Sequence, residues 1–216
     1  MDENRKNNLC YLMFLSLAIT LVALPLLPEE IPAHYNFEGE VDRWGSKYET
    51  LIFPACTILM GVFMLWMAKI GAKDSEKNEK TVFYTGMGIS VWFTVMHCYT
   101  LFMDFKSATN LNDFEFDINQ IFCILFGIGM VIMGCFMPKL KKNSVIGLRT
   151  SWSMKNDITW EKSQRFAGAS FMIGGVFAVI YGFVFSGMGA MFAFLGTILA
   201  CAFAGIIYSY KIAQKY

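Results

Sequence analysis

Residues 166–210 contain no Asp, Glu, Lys, Arg or His. As one helix this stretch would reach about 67 Å at 1.5 Å per residue, roughly twice the ~30 Å hydrocarbon core of a bilayer. It must therefore fold back on itself within an apolar medium. Charged residues make up only 16% of the 216, against about 25% in a soluble domain. The chain reads as an integral membrane protein with a single polytopic domain over 1–216.

Six apolar runs, roughly 9–27, 51–69, 82–103, 119–137, 166–186 and 189–210, each approach the length of a membrane-crossing helix. A β-barrel would need alternating strands, and these runs are continuous. The expected fold class is an all-α polytopic membrane protein with six transmembrane helices. Orientation follows from Lys and Arg. With the N-terminus inside, 15 of the 18 basic residues fall in inner segments, and only Arg43, Lys47 and Lys106 fall outside. Acidic residues divide the other way, 7 inside and 10 outside. Both termini are expected in the cytoplasm. The first span has a weakly basic flank (Arg5, Lys6) and bulky Leu and Pro where a cleavage site needs small residues, so it reads as uncleaved. All six cysteines lie in apolar runs without CxxC spacing, and read as packing residues.

Small residues recur at every fourth position of the fifth span: Ser170, Gly174, Ala178, Gly182 and Ser186. The sixth carries Gly189, Ala193, Thr197, Cys201 and Gly205 in the same way. Such stripes let helix backbones approach closely, so a tight antiparallel hairpin turning at Ser186–Gly189 is expected. His97, in the third span, shares a helical face with Gly86, Ser90, Thr94 and, at the outer end, Asp104. An intramembrane ionisable residue raises the question of a relay or ligand site. With no acidic or basic partner inside any span, a neutral imidazole bonded to Thr94 or to another helix is the simpler reading.

Polar chemistry concentrates in two loops, an outer one at about 24–50 and an inner one at 134–165. The outer loop contains LPEEIPAHYNFEGEVDRWGSK, Leu27 to Lys47. Its prolines stop the first helix, the alternation around His34 suggests an extended segment, and its glycines mark turns. A short bent hairpin or lid is expected. Tyr35, Phe37 and Trp44 would rest at the membrane interface, while His34, Asn36, Asp42 and Lys47 face water or a ligand. Such an acidic, aromatic face would suit a cationic or amphipathic peptide. His34, Glu38 and Asp42 lack the paired-His spacing of a zinc site, so no metal and no cofactor is expected. In the inner loop Pro138 ends the fourth span, and Asn156 and Asp157 form a helix start that can run into the fifth. Trp152 and Trp160 resemble interfacial anchors, and Lys139, Lys141, Lys142 and Arg149 suit anionic headgroups of membrane lipids. Gly147, Arg149, Thr150 and Trp152 together also fit a surface that docks a specific partner.

Both loops resemble known patterns. The outer one is similar to LPxxIPxHxNxxGxxDxxGSK, met by Ile31, Pro32, His34, Asn36, Gly39, Asp42, Gly45, Ser46 and Lys47. The inner one resembles the SdpI-family signature MPKxKxNxxxGxRTPWTL…W…KTHR. Met137, Pro138, Lys139, Lys141, Asn143, Gly147, Arg149, Thr150, Trp152, Trp160, Lys162 and Arg165 fit it. Ser151 and Ser153 stand where that signature has Pro and Thr, and Ser163–Gln164 replace its Thr–His pair. The resemblance implies a multi-pass protein of the bacterial cytoplasmic membrane that confers immunity to a secreted antimicrobial peptide. It further implies that a cytoplasmic transcriptional repressor is held at the membrane through the inner loop, without direct contact to nucleic acid.

Two other classes fit less well. A small-solute or peptide transporter would show internal repeats and charged intramembrane residues, and neither is evident. An enzyme would need an oriented nucleophile and base or a metal. The two histidines, one in a span and one outside, offer no Ser–His–Asp or HExxH arrangement.

Overall fold

The computed structural model describes residues 3–216; Met1 and Asp2, part of the N-terminal flank counted above, lie outside the described residues. Six long helices run α1 Glu3–Ala23, α2 Ile52–Ala72, α3 Glu76–Phe105, α4 Ile118–Phe136, α5 Asp157–Val184 and α6 Gly187–Lys215. All six are long and apolar enough to cross a membrane. Between α1 and α2 stand two short antiparallel strands, β1 Glu30–Tyr35 and β2 Val41–Ser46. The fold is thus an all-α bundle with one small hairpin set on its end.

The helix ends are where the local chemistry places them. Asp117 caps α4 in a reciprocal box with Gln120, and Asn156 caps α5 in the same way with Thr159. α5 therefore starts nine residues before the charge-free run, carrying Trp160 and Arg165 on its first turns.

The helices form two groups of three. Leu9, Met13, Met64, Ala68, Val82 and Phe83 make the core of α1–α3. Cys123, Met130, Ala178, Ala190 and Phe194 make that of α4–α6. Trp92 of α3 joins the groups, its ring 5.3 Å from Phe122 and 6.0 Å from Phe126.

Within the second group the closest approach is α4 against α5. A side chain at Gly127 or Gly175 would collide with the other's carbonyl oxygen, and Gly134 and Gly168 stand in the same relation. These glycines recur at intervals of seven, which returns nearly to one helix face. The expected α5–α6 hairpin is present and turns at Ser186–Gly187, but its stripes meet only in the middle. Gly174 faces Thr197 and Cys201, the Cys201 thiol donates to the Ser170 carbonyl (3.3 Å), and Ala178 packs with Ala190 and Phe194. Gly182 instead faces Gln120 and Ile124 of α4, and Gly205 faces Leu148 of the 137–156 loop. Gly189 meets nothing nearer than its neighbour Phe185, and Ala193 is half-buried. A stripe of small residues specifies close approach but not the partner helix.

Candidate functional site: two motif loops at opposite ends of the bundle

At one end the β1–β2 hairpin is built by its own motif. The Asn36 Oδ1 accepts from the Glu38 and Glu40 backbone N–H groups (2.9 and 3.0 Å), and Gly39 takes φ +84°, closing the turn. Ser46 caps the following 3-10 turn. Lys47 is tied to Glu29 by its ammonium (2.8 Å) and its backbone N–H (3.1 Å). The Arg43 guanidinium grips Glu49 through two bonds (3.1 and 2.9 Å), and this contact holds the Glu49 carboxyl below the usual carboxylate range. That carboxylate passes over Gly45, where a side chain would collide with it. Asn36, Gly39, Gly45, Ser46 and Lys47 therefore shape the hairpin, with the Asn36 side-chain oxygen and the Lys47 ammonium engaged within it rather than free for a ligand as the alternation suggested.

His34 and Asp42 do. The strand register shifts on both sides of His34, and such irregularities re-aim side chains. The imidazole Nδ1 lies 2.6 Å from Asp42 Oδ1, with both side chains largely exposed. Phe37, 82% exposed, and Trp44 project nearby in the chain, among exposed Glu30, Glu40 and Tyr48. Tyr35 lies elsewhere than the interface expected for it. It packs with Met103, Ala108 and Leu111, its hydroxyl donating to the Ala108 carbonyl (3.0 Å). Burial, then the Asp104 charge and Tyr99, push its phenol up to about 12. Among the described residues no three His, Cys, Asp or Glu side chains are grouped to hold a metal, so His34, Glu38 and Asp42 do not form such a site.

The hairpin does not stand alone. Val41 N–H donates to the Thr109 carbonyl (3.0 Å) and Leu111 N–H to that of Gly39 (2.8 Å), adding the α3–α4 loop as a short third strand. Asp117, which caps α4, also accepts from the Gly187 N–H at 2.5 Å, so one carboxylate serves the first turns of α4 and α6.

At the opposite end the 137–156 loop is closely wound. Asn143 is buried, its amide donating to the Lys141 and Ile146 carbonyls while its oxygen accepts from the Val145 and Ile146 N–H groups. Gly147 takes φ +107°, conformationally costly for any other residue, and lies against Gln164. The fully buried Gln164 amide accepts from the Leu148 N–H and donates to the Leu148 carbonyl, both at 2.9 Å. Thr150 shares a bond with Ser209 of α6 (2.9 Å), and the indole N–H of Trp160 donates to Leu140 (2.8 Å). Trp160 is 2% exposed, which removes it from any anchoring or docking surface, as burial removes Asn143. Trp152, 38% exposed, packs edge-on against Tyr210. Pro138, Lys139, Lys141, Lys142 and Arg149 remain exposed, and Lys139 lies 5.4 Å from the Phe136 ring centroid.

This loop also reaches the other helix group. Val145 and Ile146 pack on the α1–α3 core, Asn78 donates to the Lys141 carbonyl (3.4 Å), and Ser144 N–H to Asp74 (3.3 Å). Sequence reasoning missed Gln164, although its place beside Ser163 as a departure from the signature marked it out.

His97 is fully buried between α1 and α2. Its Nε2 lies 2.7 Å from Thr20 Oγ1 and its ring stacks on Phe53, centroids 5.5 Å apart. Thr94 bonds its own helix at Ser90 instead. The interhelical partner is thus a hydroxyl from α1.

Residues 139–209 match the SdpI/YfhL protein family, and residues 11–58 match a domain of unknown function, DUF1648. Over its last third the chain is thus similar to the SdpI/YfhL family. It is 23% identical over 201 residues to the immunity protein SdpI of Bacillus subtilis (strain 168), covering 93% of this chain and 92% of that one. No solved structure matches it. The two matched segments contain the two loops described above, the hairpin in the first and nearly all of the basic loop in the second. Likeness and fold together make this a multi-pass bacterial membrane protein related to an immunity protein.

Proposed function

We propose that this SdpI-type protein protects its cell by binding a secreted, membrane-active peptide at the hairpin end, outside, and engages a cytoplasmic regulator through the basic loop. The observation that carries the reading is the near full-length likeness to an immunity protein. The exposed His34–Asp42 pair, with acidic and aromatic neighbours, suits a cationic amphipathic peptide. Arg149, exposed and without an ion pair among the described residues, suits an acidic partner. For binding outside to be felt inside, the peptide must favour one arrangement of the bundle over another.

The test is expression in peptide-sensitive cells. His34→Ala and Trp44→Ala are expected to lower protection while the protein remains at the membrane. Arg149→Ala is expected to keep protection and lose recruitment of the regulator. Wild-type protein in the membrane with no protection against any peptide encoded beside it would refute the immunity half. In a cysteine-free background, His34→Cys should label from outside intact cells and Arg149→Cys only after permeabilisation; the reverse pattern would refute the orientation.

A further inference from the structure

The close approach of α4 and α5 has a counterpart on the bundle's outer surface. Where the glycines bring the two backbones together, the side chains on either side stand up as walls. Ile128, Val131 and Ile132 of α4 and Val176, Val179 and Ile180 of α5 enclose a groove of about 260 Å³, with no polar side chain among them. Every lining residue is β-branched, and stiff side chains of that kind keep the walls in place without a partner.

The groove has a direction. Cys135 follows Ile128 by seven residues and so continues the same face of α4, and Lys139 closes the 3-10 turn Met137–Lys139 that follows the helix. On α5, which runs the other way, Met172, Ala169 and Arg165 continue the face of Val176 and Ile180 towards the same end. Contact between the Cys135 and Met172 sulfurs, 3.6 Å apart, joins these two continuations across the helix pair. Ala169 on this face is exposed and short. The six lining residues stop at Ile132 and Val176, and Lys139 and Arg165 are the first cations beyond them towards this end. Arg165 shares its charge with Glu161 at 2.6 Å. Lys139 has no acidic partner among the described residues and is held beside the Phe136 ring, with exposed Lys141 and Lys142 just beyond.

We propose that this groove binds one anionic phospholipid, an acyl chain lying between α4 and α5 and the phosphate at Lys139 and Arg165. Dimensions agree. From Ile128 to Lys139 are eight residues of α4 and three of the 3-10 turn, about 18 Å at about 1.5 and 2.0 Å per residue, near the half-thickness of a ~30 Å hydrocarbon core. An acyl chain matches walls that offer no hydrogen bond, and the cations at one end select the headgroup's charge. The site depends on neither the hairpin nor Arg149, so it stands apart from the immunity reading.

The test uses the full chain in lipid nanodiscs, doped with phosphatidylglycerol or phosphatidylcholine carrying a photoactivatable group midway along one acyl chain. Crosslinked residues are mapped by mass spectrometry. The glycerol lipid is expected to label 128–132 and 176–180 more strongly than the choline lipid, by about fivefold for each cation engaged. Lys139→Gln with Arg165→Gln should bring the two lipids level while the fold persists. Ile132→Trp, at a half-exposed position, should fill the groove and remove labelling by both. Equal labelling by the two lipids in the wild type would overturn the proposal, as would labelling of the exposed α6 face as strong as that of the groove.

Discussion

Replacing Gly175 by Ala tests the contact on which the second helix group rests. A methyl group at 175 would stand 2.5 Å from the Gly127 carbonyl oxygen and 2.9 Å from the Val131 nitrogen. Relief to ordinary contact at 3.4 Å requires the helices to separate locally by about 0.9 Å, because two of the three obstructing atoms, the Gly127 oxygen and the Val131 nitrogen, are backbone that cannot rotate aside. Overpacking of this kind costs about 1–3 kcal/mol, and the rigid neighbour places the cost in the upper half. Greater helix propensity of Ala over Gly returns about 0.8–1 kcal/mol. The net loss should be about 1–2 kcal/mol. Gly196, with nothing within 4 Å of the equivalent position, supplies the control, and Gly196→Ala should be neutral or mildly stabilising. Reversible unfolding in mixed micelles with increasing dodecyl sulfate, followed by circular dichroism, measures both. If Gly175→Ala proved as stable as Gly196→Ala, the glycine contact would not hold α4 against α5.

Gln164→Leu should cost about 2–3 kcal/mol in the same assay, because the Leu148 N–H and carbonyl both lose their partner inside a buried loop; a loss below about 0.5 kcal/mol would mean water replaces the amide. Thr20→Val removes the hydroxyl facing His97 and should destabilise by only about 0.6–1.7 kcal/mol, the range of interhelical hydrogen bonds in membranes. A much larger loss would show that His97 does more than join α1 to α3. The Glu49 carboxyl is lowered in the folded hairpin, so its stabilisation is present above its ordinary value of 4.5 and is lost as pH falls through the lower folded value. Hydrogen exchange of the hairpin amides, corrected for intrinsic rates, should lose protection in that acidic window, and Arg43→Gln should abolish the dependence.

Much of this architecture is legible in the sequence because the bilayer leaves few alternatives. Charge-free runs locate the six helices, Asn156 with Asp157 marks the start of α5, and Gly39 marks the hairpin turn. Partner choice is harder to read. The four-residue stripe in α5 and its seven-residue glycine series overlap on neighbouring faces. Only three-dimensional packing reveals that the second series, Gly168, Gly175 and Gly182, makes the closest contact with α4. The loop motifs misled in a different way. Residue types associated with binding, such as Asn143, Trp160 and Lys47, are also those that satisfy backbone groups in a tightly wound segment. A sequence pattern does not separate the two uses; burial and bonding do, leaving His34, Asp42, Pro138, Lys139 and Arg149 among the exposed remainder.

Both motif loops also tie one helix group to the other: the hairpin bonds to residues 109–111, and the basic loop inserts Val145 and Ile146 beside the α1–α3 core. If peptide binding outside is felt inside, the hairpin tie is the element it can bias first. Glu40 and Asn110 face each other as a non-hydrogen-bonded antiparallel pair, flanked by the Val41–Thr109 and Leu111–Gly39 bonds. Such pairs have Cα atoms about 4.5 Å apart, within the range a disulfide spans. Glu40→Cys with Asn110→Cys, in a background lacking the native cysteines, should therefore crosslink on oxidation and fix the hairpin to the α3–α4 loop. With the bond formed, recruitment of the regulator in response to peptide should fall, and reductant should restore it. Full recruitment in the oxidised protein would mean that the hairpin acts as a rigid platform and that any coupling runs through another part of the bundle.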